Sequence, residues 1–512
     1  MLEKNNAADL ADSLRDLEHV GLRRTKTGYY YIAHYPPLRA MRSINSHEKG
    51  KIIDSIRGSE FETYIHFPFC EIKCSFCHFY KELASEGFTE KQEELLSGIE
   101  REMEMYTSIL GQIPARSFYI GGGTPSLMSC DTLQRLLELV DDHMDIQHDA
   151  ELKFEVFPKE YPSGKIDEML RILKDFGFTD IVIDLESGNP ESLKRVGRGM
   201  SSLEAYLELV DRCISHGFSS IVTGLIIGLP HETKSSLEET ITTLASIPEV
   251  KVVNTFPLIT RPPDPIYAQL QKNPEIFHSA ESRDELWVFA RELLKEQGFV
   301  EGPISYLHRP EKRPDQQREK FECVNLLGFG PSGFGYLNGD DWAAQYFNFC
   351  NRRDYYDCID DREIPIWRAG FLDQAERARR KLIFGLANCK PESLFDIERR
   401  FDVSIDQLLG KELNALHELG LIKLHPDSGS IRYTEKGLCR LEEISYFLGS
   451  DYVKDKCDED IEAESERRRR ELMKHHYYID IDKKDRRKFE EFVSSKSSRF
   501  TRKLEVPRPE LA

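Results

Sequence analysis

The chain has 512 residues, of which 40% are hydrophobic and 31% charged, an ordinary composition for a globular protein with a large domain and smaller units. Its formal net charge of −19 argues against nucleic-acid binding through a phosphate-neutralising surface. We expect a cytoplasmic protein without membrane contact, because no run of about 20 apolar residues is present, no apolar signal segment opens the chain, and the 11 cysteines suggest no disulfide framework.

Residues 1–60 are predicted to form a leader segment. An amphipathic helical spacing is shared by four apolar residues, Leu10, Leu14, Leu17 and Val20. Pro36 and Pro37 then impose an extended course on Tyr29–Met41. The leader either packs on the next domain as a plain extension or lies over the mouth of its active site.

Three cysteines follow the first predicted strand, Thr63–Phe67, and fall within eight residues: Cys70, Cys74 and Cys77. Thiolates select zinc, copper(I) or iron–sulfur clusters. A structural zinc site needs four protein ligands, and no second CxxC or HxxxH lies nearby. A 4Fe–4S cluster on three cysteines leaves one iron open for a second molecule. We therefore predict a 4Fe–4S cluster, with zinc as the alternative.

From Phe61 the chain alternates strands with helical stretches such as Glu90–Tyr106, which predicts βα units and a parallel sheet. The further predicted strands are Ser117–Ile120, Leu152–Val156, Asp180–Leu185, Ile221–Ile227 and Val250–Leu258. Six such units fit an α/β fold with an open partial barrel over residues 61–374. In parallel α/β folds the functional residues lie at the carboxyl ends of the strands.

The second strand runs into Gly121-Gly122-Gly123-Thr124. Without Cβ atoms the main chain there can approach a ligand closely, and free N–H and C=O groups could hold the amino group of a bound amino acid. The alternative is a tight strand-to-helix turn, which also favours glycine.

Two acidic residues stand at the ends of the third and fourth strands, Glu155 and Glu186. Each could accept a hydrogen bond from a ribose or an ammonium group, or could instead cap the following helix. The helix predicted after Glu186 carries Lys194, Arg195 and Arg198, and an arginine there could clamp a carboxylate through two hydrogen bonds. Leu326–Tyr336 alternates glycines with aromatics, which indicates backbone against a ligand or a tight buried bend.

Residues 375–448 are predicted to form a winged-helix-like α+β module. The recognition segment of this module, Gln407–Leu419 in its third predicted helix, carries only Lys411 as a Lys or Arg side chain, so we expect a packing role rather than a nucleic-acid interface. Residues 449–512 alternate charge signs and are expected to form a helical or disordered tail.

Four motifs in this order resemble the HemN-like branch of radical S-adenosylmethionine (SAM) proteins: YIHFPFC, GGGTPS, GLP at Gly228–Pro230 and LLGFGPSGFG. This branch includes oxygen-independent coproporphyrinogen III oxidases, haem chaperones, and radical methyltransferases and cyclopropane-forming enzymes. The resemblance implies a cluster on Cys70, Cys74 and Cys77, one or two molecules of SAM, a small-molecule substrate, and a reductant such as flavodoxin or ferredoxin.

By position, the resemblance also implies contacts with SAM from Tyr64, Phe76, Gly122, Gly123, Thr124, Glu155, Glu186, Arg198, Ile226, Phe256 and Phe334. It assigns no catalytic residue. Two departures stand out, since Phe79 replaces a cysteine of the oxidase and Gly224 replaces an aspartate that the oxidase uses against SAM.

These departures favour radical methyl or methylene transfer to an unsaturated small molecule. The alternatives are oxidative decarboxylation of the coproporphyrinogen oxidase type and non-catalytic haem carriage. A zinc-binding winged-helix regulator is the remaining, more distant possibility.

Overall fold

The computed structural model describes residues 34–54, 56–162, 164–260, 264–312, 322–425, 428–438 and 440–458. The predicted leader helix of residues 10–20 and the tail beyond residue 458 lie outside these described residues.

The described residues form strands that we number in chain order. They are β1 (Arg42–Ser43), β2 (Phe61–Phe67), β3 (Phe69–Cys70), β4 (Glu82–Leu83), β5 (Ile113–Gly122), β6 (Met144–Glu155), β7 (Asp180–Val182), β8 (Ile221–Ile227), β9 (Val250–Pro257), β10 (Val300–Glu301), β11 (Tyr306–His308), β12 (Leu326–Phe329), β13 (Phe334–Asn338), β14 (Ala343–Asn348), β15 (Ile366–Leu372), β16 (Glu392–Ser393), β17 (Ile422–His425) and β18 (Ser430–Tyr433).

The helices are numbered in the same way. They are α1 (Ser46–Asp54), α2 (Phe88–Leu110), α3 (Cys130–His143), α4 (Lys165–Phe176), α5 (Pro190–Arg195), α6 (Leu203–Ser215), α7 (Lys234–Ala245), α8 (Pro265–Lys272), α9 (Ala280–Glu296), α10 (Arg352–Asp360), α11 (Gln374–Ala387), α12 (Leu394–Phe401), α13 (Ile405–Glu418), α14 (Glu435–Leu438), α15 (Leu441–Leu448) and α16 (Asp451–Asp458).

The predicted α/β partial barrel is confirmed. Strands β2, β5, β6, β7, β8 and β9 are neighbours in sequence order, and each adjacent pair is parallel. Helices cross between them and bury apolar faces against the sheet. In α3, for example, Leu133, Leu136, Leu137 and Val140 are buried at the spacing of one helical face.

The sheet extends well beyond the six predicted strands. On one side β12 pairs parallel to β2 and is followed by the antiparallel strands β13, β14, β15 and β1. On the other side β9 pairs with β11, which pairs with β10. The stretch Leu326–Tyr336 thus contributes strand β12, a turn, and the first residues of β13.

The predicted fourth strand is shorter than expected. β7 ends at Val182, although Ile183 N still donates to Val222 O at 2.8 Å. Glu186 has a φ of +66°, which is unusual for a residue with a Cβ and is incompatible with an extended strand. The chain therefore leaves the regular sheet just before the acidic residues at its carboxyl end.

Inside the barrel, side chains form layers. A charged layer lies at the amino ends of the strands, where Lys312 Nζ is 2.8 Å from both Glu151 Oε1 and Asp180 Oδ1, and Lys153 Nζ is 2.7 Å from Glu151 Oε2. An apolar layer of Val182, Val222 and Val252 follows and packs against Tyr119 and Tyr306. The interior is therefore filled at the end opposite to the carboxyl ends of the strands.

The C-terminal module contains α11, α12, α13 and a three-stranded sheet in the order β16-β18-β17. Strand β16 was not predicted, because a two-residue strand has no sequence periodicity. No helix within the described ranges is both long and apolar enough to cross a membrane.

Candidate cofactor site

The cysteine segment leaves the carboxyl end of β2 and is held by main-chain contacts on several sides. Strand β3, which ends at Cys70, pairs with β4. Between them, Ser75 N donates to Val196 O at 2.9 Å, and Ile266 N donates to Ser75 O at 3.0 Å. The cysteine segment is therefore held at its two ends by the pairing of β3 with β4. Its middle is held by hydrogen bonds to residues of other βα units.

The three predicted ligands face a common region. Burial raises the pKa of the Cys70 thiol to about 12, and the nearby Cys77 and Cys74 raise it further. Burial likewise raises the pKa of Cys74 to about 11. Since ligand thiols must be deprotonated, these residues require a strongly cationic group between them to become thiolates.

The described residues contain no group of three or more His, Cys, Asp or Glu side chains placed to hold a single metal ion. A 4Fe–4S cluster binds each thiolate at a different iron, so the thiols need not converge on a point. The residues present fit a cluster on Cys70, Cys74 and Cys77.

The glycine segment packs beneath the cysteine segment. Gly123 N donates to Phe67 O and Thr124 N to Phe69 O, both at 2.7 Å. Gly122 N donates to Glu155 Oε2 at 3.1 Å. The expectation of free N–H groups here is wrong, because a neighbouring strand end and a carboxylate occupy them.

The close approach of neighbouring atoms explains why glycine stands at these positions. A Cβ on Gly123 would lie 2.5 Å from Phe69 O, and a Cβ on Gly122 would lie 2.6 Å from His66 Nδ1. The Thr124 side chain interacts with the Cys70 thiol and favours its thiolate form. The segment therefore supports the predicted ligands directly from below.

An acidic centre lies next to this segment, and we define it as Glu155, Asp184 and Glu186. Tyr119 Oη donates a hydrogen bond to Glu155 Oε1. Burial raises the pKa of Glu155 to about 8, and the neighbouring Asp184 contributes to the increase. The carboxyl group of Asp184 lies against Gly224, where a Cβ would come within 2.3 Å of Asp184 Oδ1.

The third member of the acidic centre is paired. Arg198 Nη1 lies 3.0 Å from Glu186 Oε1, and both side chains are buried. The Arg198 guanidinium also covers the Phe157 ring at 4.5 Å and interacts with the Cys74 thiol. Burial raises the pKa of Glu186 to about 7 despite this partner. The acidic centre thus has three carboxyl groups and only Arg198 as an ion-paired cation in the described part of the chain.

The helix-capping alternative for the two strand-end glutamates does not hold. The side chain that caps α5 is Asn189, and α4 begins after Gly164 without a side-chain cap. Both carboxylates therefore point to other partners.

Asp184, Tyr119 and His66 were missed by sequence analysis. Asp184 could have been noticed as a charged residue within the apolar run Ile181–Leu185. His66 is fully enclosed, with Nδ1 2.8 Å from Tyr64 Oη, and burial lowers its pKa to about 4. A histidine within an apolar strand gives little sequence signal for such a contact.

The other side chains that were predicted to contact SAM lie in three separate groups. Phe76 and Ile226 pack on one small apolar cluster. The Phe256 ring centroid lies 6.3 Å from that of Tyr306, and the Phe334 centroid lies 5.4 Å from that of Tyr64. The structure therefore joins Phe76 with Ile226 and Tyr64 with Phe334, whereas Phe256 belongs to a third contact.

The described part of the leader reaches the same wall as Phe334. His34 Nδ1 lies 2.9 Å from Tyr336 Oη, and its ring centroid is 5.8 Å from that of Phe334. Pro36 packs on Gly370, where a Cβ would meet Pro36 Cγ at 2.4 Å. The leader therefore both packs on the domain and contributes a residue near the site.

Comparison with known proteins agrees with this arrangement. Residues 64–244 match the radical SAM superfamily, and residues 372–439 match the HemN C-terminal domain. The haem chaperone HemW of Bacillus subtilis is 25% identical over 388 residues, which cover 75% of this chain and 98% of that protein. The oxygen-independent coproporphyrinogen III oxidase of Escherichia coli is 24% identical over 399 residues, which cover 74% of this chain and 83% of that protein.

A solved structure shows the same fold. Coproporphyrinogen III oxidase (HemN) from Escherichia coli superposes with a TM-score of 0.72 at 22% identity, over 82% of this chain and 96% of that one. The two matched domains, their order and these relatives identify the chain as a HemN-like radical SAM protein, a class whose cofactors are a 4Fe–4S cluster and SAM.

Proposed function

We propose that this chain binds the cluster through Cys70, Cys74 and Cys77, cleaves SAM reductively, and transfers a methyl or methylene group to an unsaturated small molecule. We assign this activity to residues 61–374, with residues 1–60 as leader, 375–448 as C-terminal module and 449–512 as tail. When bound, the reduced cluster supplies an electron that splits the sulfonium bond of SAM, which gives methionine and a 5′-deoxyadenosyl radical.

The observation that carries the proposal is the excess of buried carboxyl groups beside the cysteines. Three carboxyl groups share one guanidinium, and burial raises the pKa of each of them. Uncompensated buried carboxylates favour a positively charged ligand. SAM carries both an ammonium and a sulfonium group, so it offers two positive charges to this centre.

The roles of the chain's residues follow from their contacts. The acidic centre orients the cationic groups of SAM, and Arg198 is positioned for a carboxylate. Phe76 and Ile226 offer an apolar surface to SAM, and Tyr64, Phe256 and Phe334 offer it aromatic rings. The backbone of Gly122 and Gly123 offers carbonyl acceptors, since its N–H groups are already used, whereas Thr124 O already accepts a hydrogen bond from Leu127 N at 3.0 Å.

Methyl or methylene transfer is supported by the two departures from the oxidase. Phe79 stands where the oxidase has a cysteine, and its side chain is 56% exposed. Gly224 stands where the oxidase has an aspartate, and the carboxyl group of Asp184 fills the space above it. At these two positions the surface beside the same cofactors differs from that of the oxidase. This difference favours a reaction of the radical other than oxidative decarboxylation.

The haem chaperones among the relatives support a second candidate, a haem carrier, because HemW of Bacillus subtilis matches over almost its whole length. Oxidative decarboxylation of the coproporphyrinogen oxidase type is the third outcome of the test.

The experiment is an anaerobic assay of reconstituted protein with SAM and a strong reductant such as dithionite or reduced flavodoxin. Mass spectrometry follows 5′-deoxyadenosine, S-adenosylhomocysteine and methylthioadenosine, with haem binding measured in parallel. Deoxyadenosine with a SAM-derived carbon coproduct supports the proposal. Cluster-dependent haem binding without SAM cleavage contradicts it and supports the carrier.

Cys74→Ala provides the ligand test. We expect its iron and sulfide content to fall close to zero, because a cluster on two thiolates is poorly held. Cys130→Ala is the matched control, since Cys130 begins α3 outside the cysteine segment. Unchanged iron in Cys74→Ala would refute the ligand assignment.

A further inference from the structure

The phenol of Tyr306 lies in the barrel interior, beside the cofactor site. Tyr306 stands on β11 directly opposite Asn254 of β9, so the two side chains share one face of the sheet. On β9 this inner face runs from Val252 through Asn254 to Phe256, because alternate residues of a strand face the same side. Tyr306 therefore lies in the layer between the valines and Phe256, a predicted SAM contact.

The Tyr306 ring has neighbours on both sides of this layer. It packs on the apolar layer of Val182, Val222 and Val252, which separates it from the charged layer at the amino ends of the strands. On the opposite side its ring centroid lies 6.3 Å from that of Phe256, and the two rings are nearly perpendicular at 81°. The valines thus close one direction, and the other direction leads to the cofactor site.

The Tyr306 hydroxyl faces the inside of the barrel and not bulk solvent. Burial raises the pKa of Tyr306, and the nearby Asp184 and Glu155 raise it further. Tyr306 nevertheless keeps part of its surface accessible, as does Asp184. Deeply enclosed residues with accessible surface line an internal space, and a polar space of this kind can hold water or a ligand.

Two other phenols beside the site are already engaged, whereas that of Tyr306 is not. Tyr119 Oη donates a hydrogen bond to Glu155, and Tyr64 Oη lies 2.8 Å from His66 Nδ1. Within the residues that the structure describes, no hydrogen bond engages Tyr306 Oη. Its O–H group is therefore available to a molecule that enters the internal space.

We propose that Tyr306 is a hydrogen-atom donor that quenches the 5′-deoxyadenosyl radical when no reactant occupies the internal space. This inference rests on the proposed function, because it requires the reductive cleavage of SAM. A phenolic O–H bond is weaker than a primary C–H bond, so the transfer is downhill. Enclosed sites must prevent side reactions of reactive intermediates, and a radical on a phenol can be repaired, whereas a radical on a main-chain carbon damages the protein.

The quench and its repair use only groups of the site and the external reductant. The O–H bond of Tyr306 breaks, a C–H bond forms at the 5′ carbon, and the unpaired electron moves to the phenoxyl oxygen. One electron from the reductant, delivered through the cluster, and one proton then restore the phenol. Asp184 and Glu155, whose charges act on Tyr306, are placed to pass on that proton from water.

The test uses the full chain with its cluster reconstituted, in heavy water under anaerobic conditions, with unlabelled SAM, dithionite and no added substrate. The phenolic hydrogen exchanges with heavy water, whereas carbon-bound hydrogens of the protein do not. Mass spectrometry of the 5′-deoxyadenosine measures the fraction that carries deuterium at the 5′ carbon. We expect most of the product from wild-type protein to carry this label, and Tyr306→Phe to lose most of it.

Tyr433→Phe is the matched control, since it removes the same hydroxyl from a buried tyrosine of β18 in the C-terminal module. This variant should keep the label. Equilibrium dialysis should give the same affinity for SAM in both variants and in wild type, because a hydrogen-atom donor acts after binding. Thermal melting of each variant establishes that it is folded.

A spectroscopic readout complements the product analysis. The cluster is reduced, excess dithionite is removed, and SAM is then added, so that no electron remains to repair the phenol. Electron paramagnetic resonance should show a phenoxyl radical whose signal narrows when the protein contains ring-deuterated tyrosine. Tyr306→Phe should lack this signal, and Tyr433→Phe should show it.

Several results would overturn the inference. These are deoxyadenosine without the label in wild-type protein, an equal labelled fraction in Tyr306→Phe, absence of the phenoxyl signal from wild type, or a weaker affinity for SAM in Tyr306→Phe, which would make the phenol a binding contact. Deoxyadenosine without the label refutes this inference alone. Absence of deoxyadenosine from wild-type protein refutes the proposed function and this inference with it.

Discussion

Lys81 supplies a buried positive charge directly behind the cysteine segment. Its side chain is only 7% exposed, and Nζ donates to Cys77 O at 2.8 Å and to Phe79 O at 3.3 Å. A fixed positive charge next to a cluster stabilises the reduced form, which carries one more electron. We therefore expect Lys81→Gln to make the midpoint potential of the cluster more negative in a redox titration followed by electron paramagnetic resonance.

Lys73 provides the control for charge alone. It lies within the same cysteine segment but is exposed, so solvent screens its charge and Lys73→Gln should shift the potential much less. Equal shifts in the two variants would show that burial of Lys81 is not the cause.

Glu155 predicts a pH dependence of SAM binding. Burial and the nearby Asp184 and Glu186 raise its pKa to about 8, so this carboxyl group is mostly protonated at neutral pH before a ligand binds. A cationic ligand favours the ionised form. The affinity for SAM should therefore increase as the pH rises through about 8 and then level off.

The measurement is equilibrium dialysis of SAM against cluster-loaded protein across this pH range. Glu155→Gln should flatten the profile. Glu102→Gln is the control, since Glu102 is also buried with a raised pKa but lies on α2, where its hydrogen-bond partners belong to other elements. A profile that stays steep in Glu155→Gln would assign the titration to another group.

At the scale of elements, the glycine segment and the cysteine segment act as one unit. Because a Cβ on Gly123 would lie 2.5 Å from Phe69 O, a main-chain atom, Gly123→Ala must displace the backbone that leads to Cys70. We expect a loss of about 1–3 kcal/mol in the free energy of unfolding, as for other overpacked sites, and reduced iron content.

Gly199→Ala is the matched control, because nothing lies within 4 Å of its Cβ position. Thermal melting and iron analysis of both variants make the comparison. Equal iron retention would show that the cysteine segment tolerates the displacement.

Local sequence signals predicted much of the barrel but little of its contacts. The cysteine spacing, the glycine triplet and the alternation of strands and helices are local patterns, and all fall where expected. The contacts of Glu155 with Tyr119 and of Asp184 with Gly224 depend on the register of neighbouring strands. A slip by one residue would turn each side chain to the other face, and no single stretch of sequence encodes that register.

The added strands were missed for a similar reason. β12 pairs with β2 across a long separation in the chain, and β13, β14 and β15 follow it as antiparallel neighbours. β7 ends at Val182, before the positive φ of Glu186. The role of the glycines was partly misjudged, since their N–H groups serve Phe67, Phe69 and Glu155 within the protein.

At the scale of the whole molecule, Glu102 connects three elements in the core. Its carboxyl group accepts hydrogen bonds from Gly330 N at 2.8 Å, Asn348 Nδ2 at 2.8 Å and Tyr355 Oη at 2.6 Å. Burial raises its pKa to about 7. The folded state therefore binds this proton more tightly than the unfolded state does.

Because the pKa of Glu102 is raised in the folded state, this group makes the fold less stable as the pH rises. The contribution of Glu102 is fully present below about pH 4.5 and is lost as the pH rises through about 7, a change on the order of 3 kcal/mol. Chemical denaturation between pH 5 and 8 should show a weaker decline in Glu102→Gln than in wild type. Identical slopes would mean that Glu102 does not titrate in this range.

The charged layer of Lys153, Glu151, Lys312 and Asp180 has a kinetic consequence. It fills the amino end of the barrel in the described part of the chain, so that reactants and products are expected to enter and leave at the carboxyl ends of the strands. A molecule bound nearer to the filled end is trapped until the outer one departs. Turnover should therefore follow a compulsory order, in which the inner reactant binds first and its product is released last.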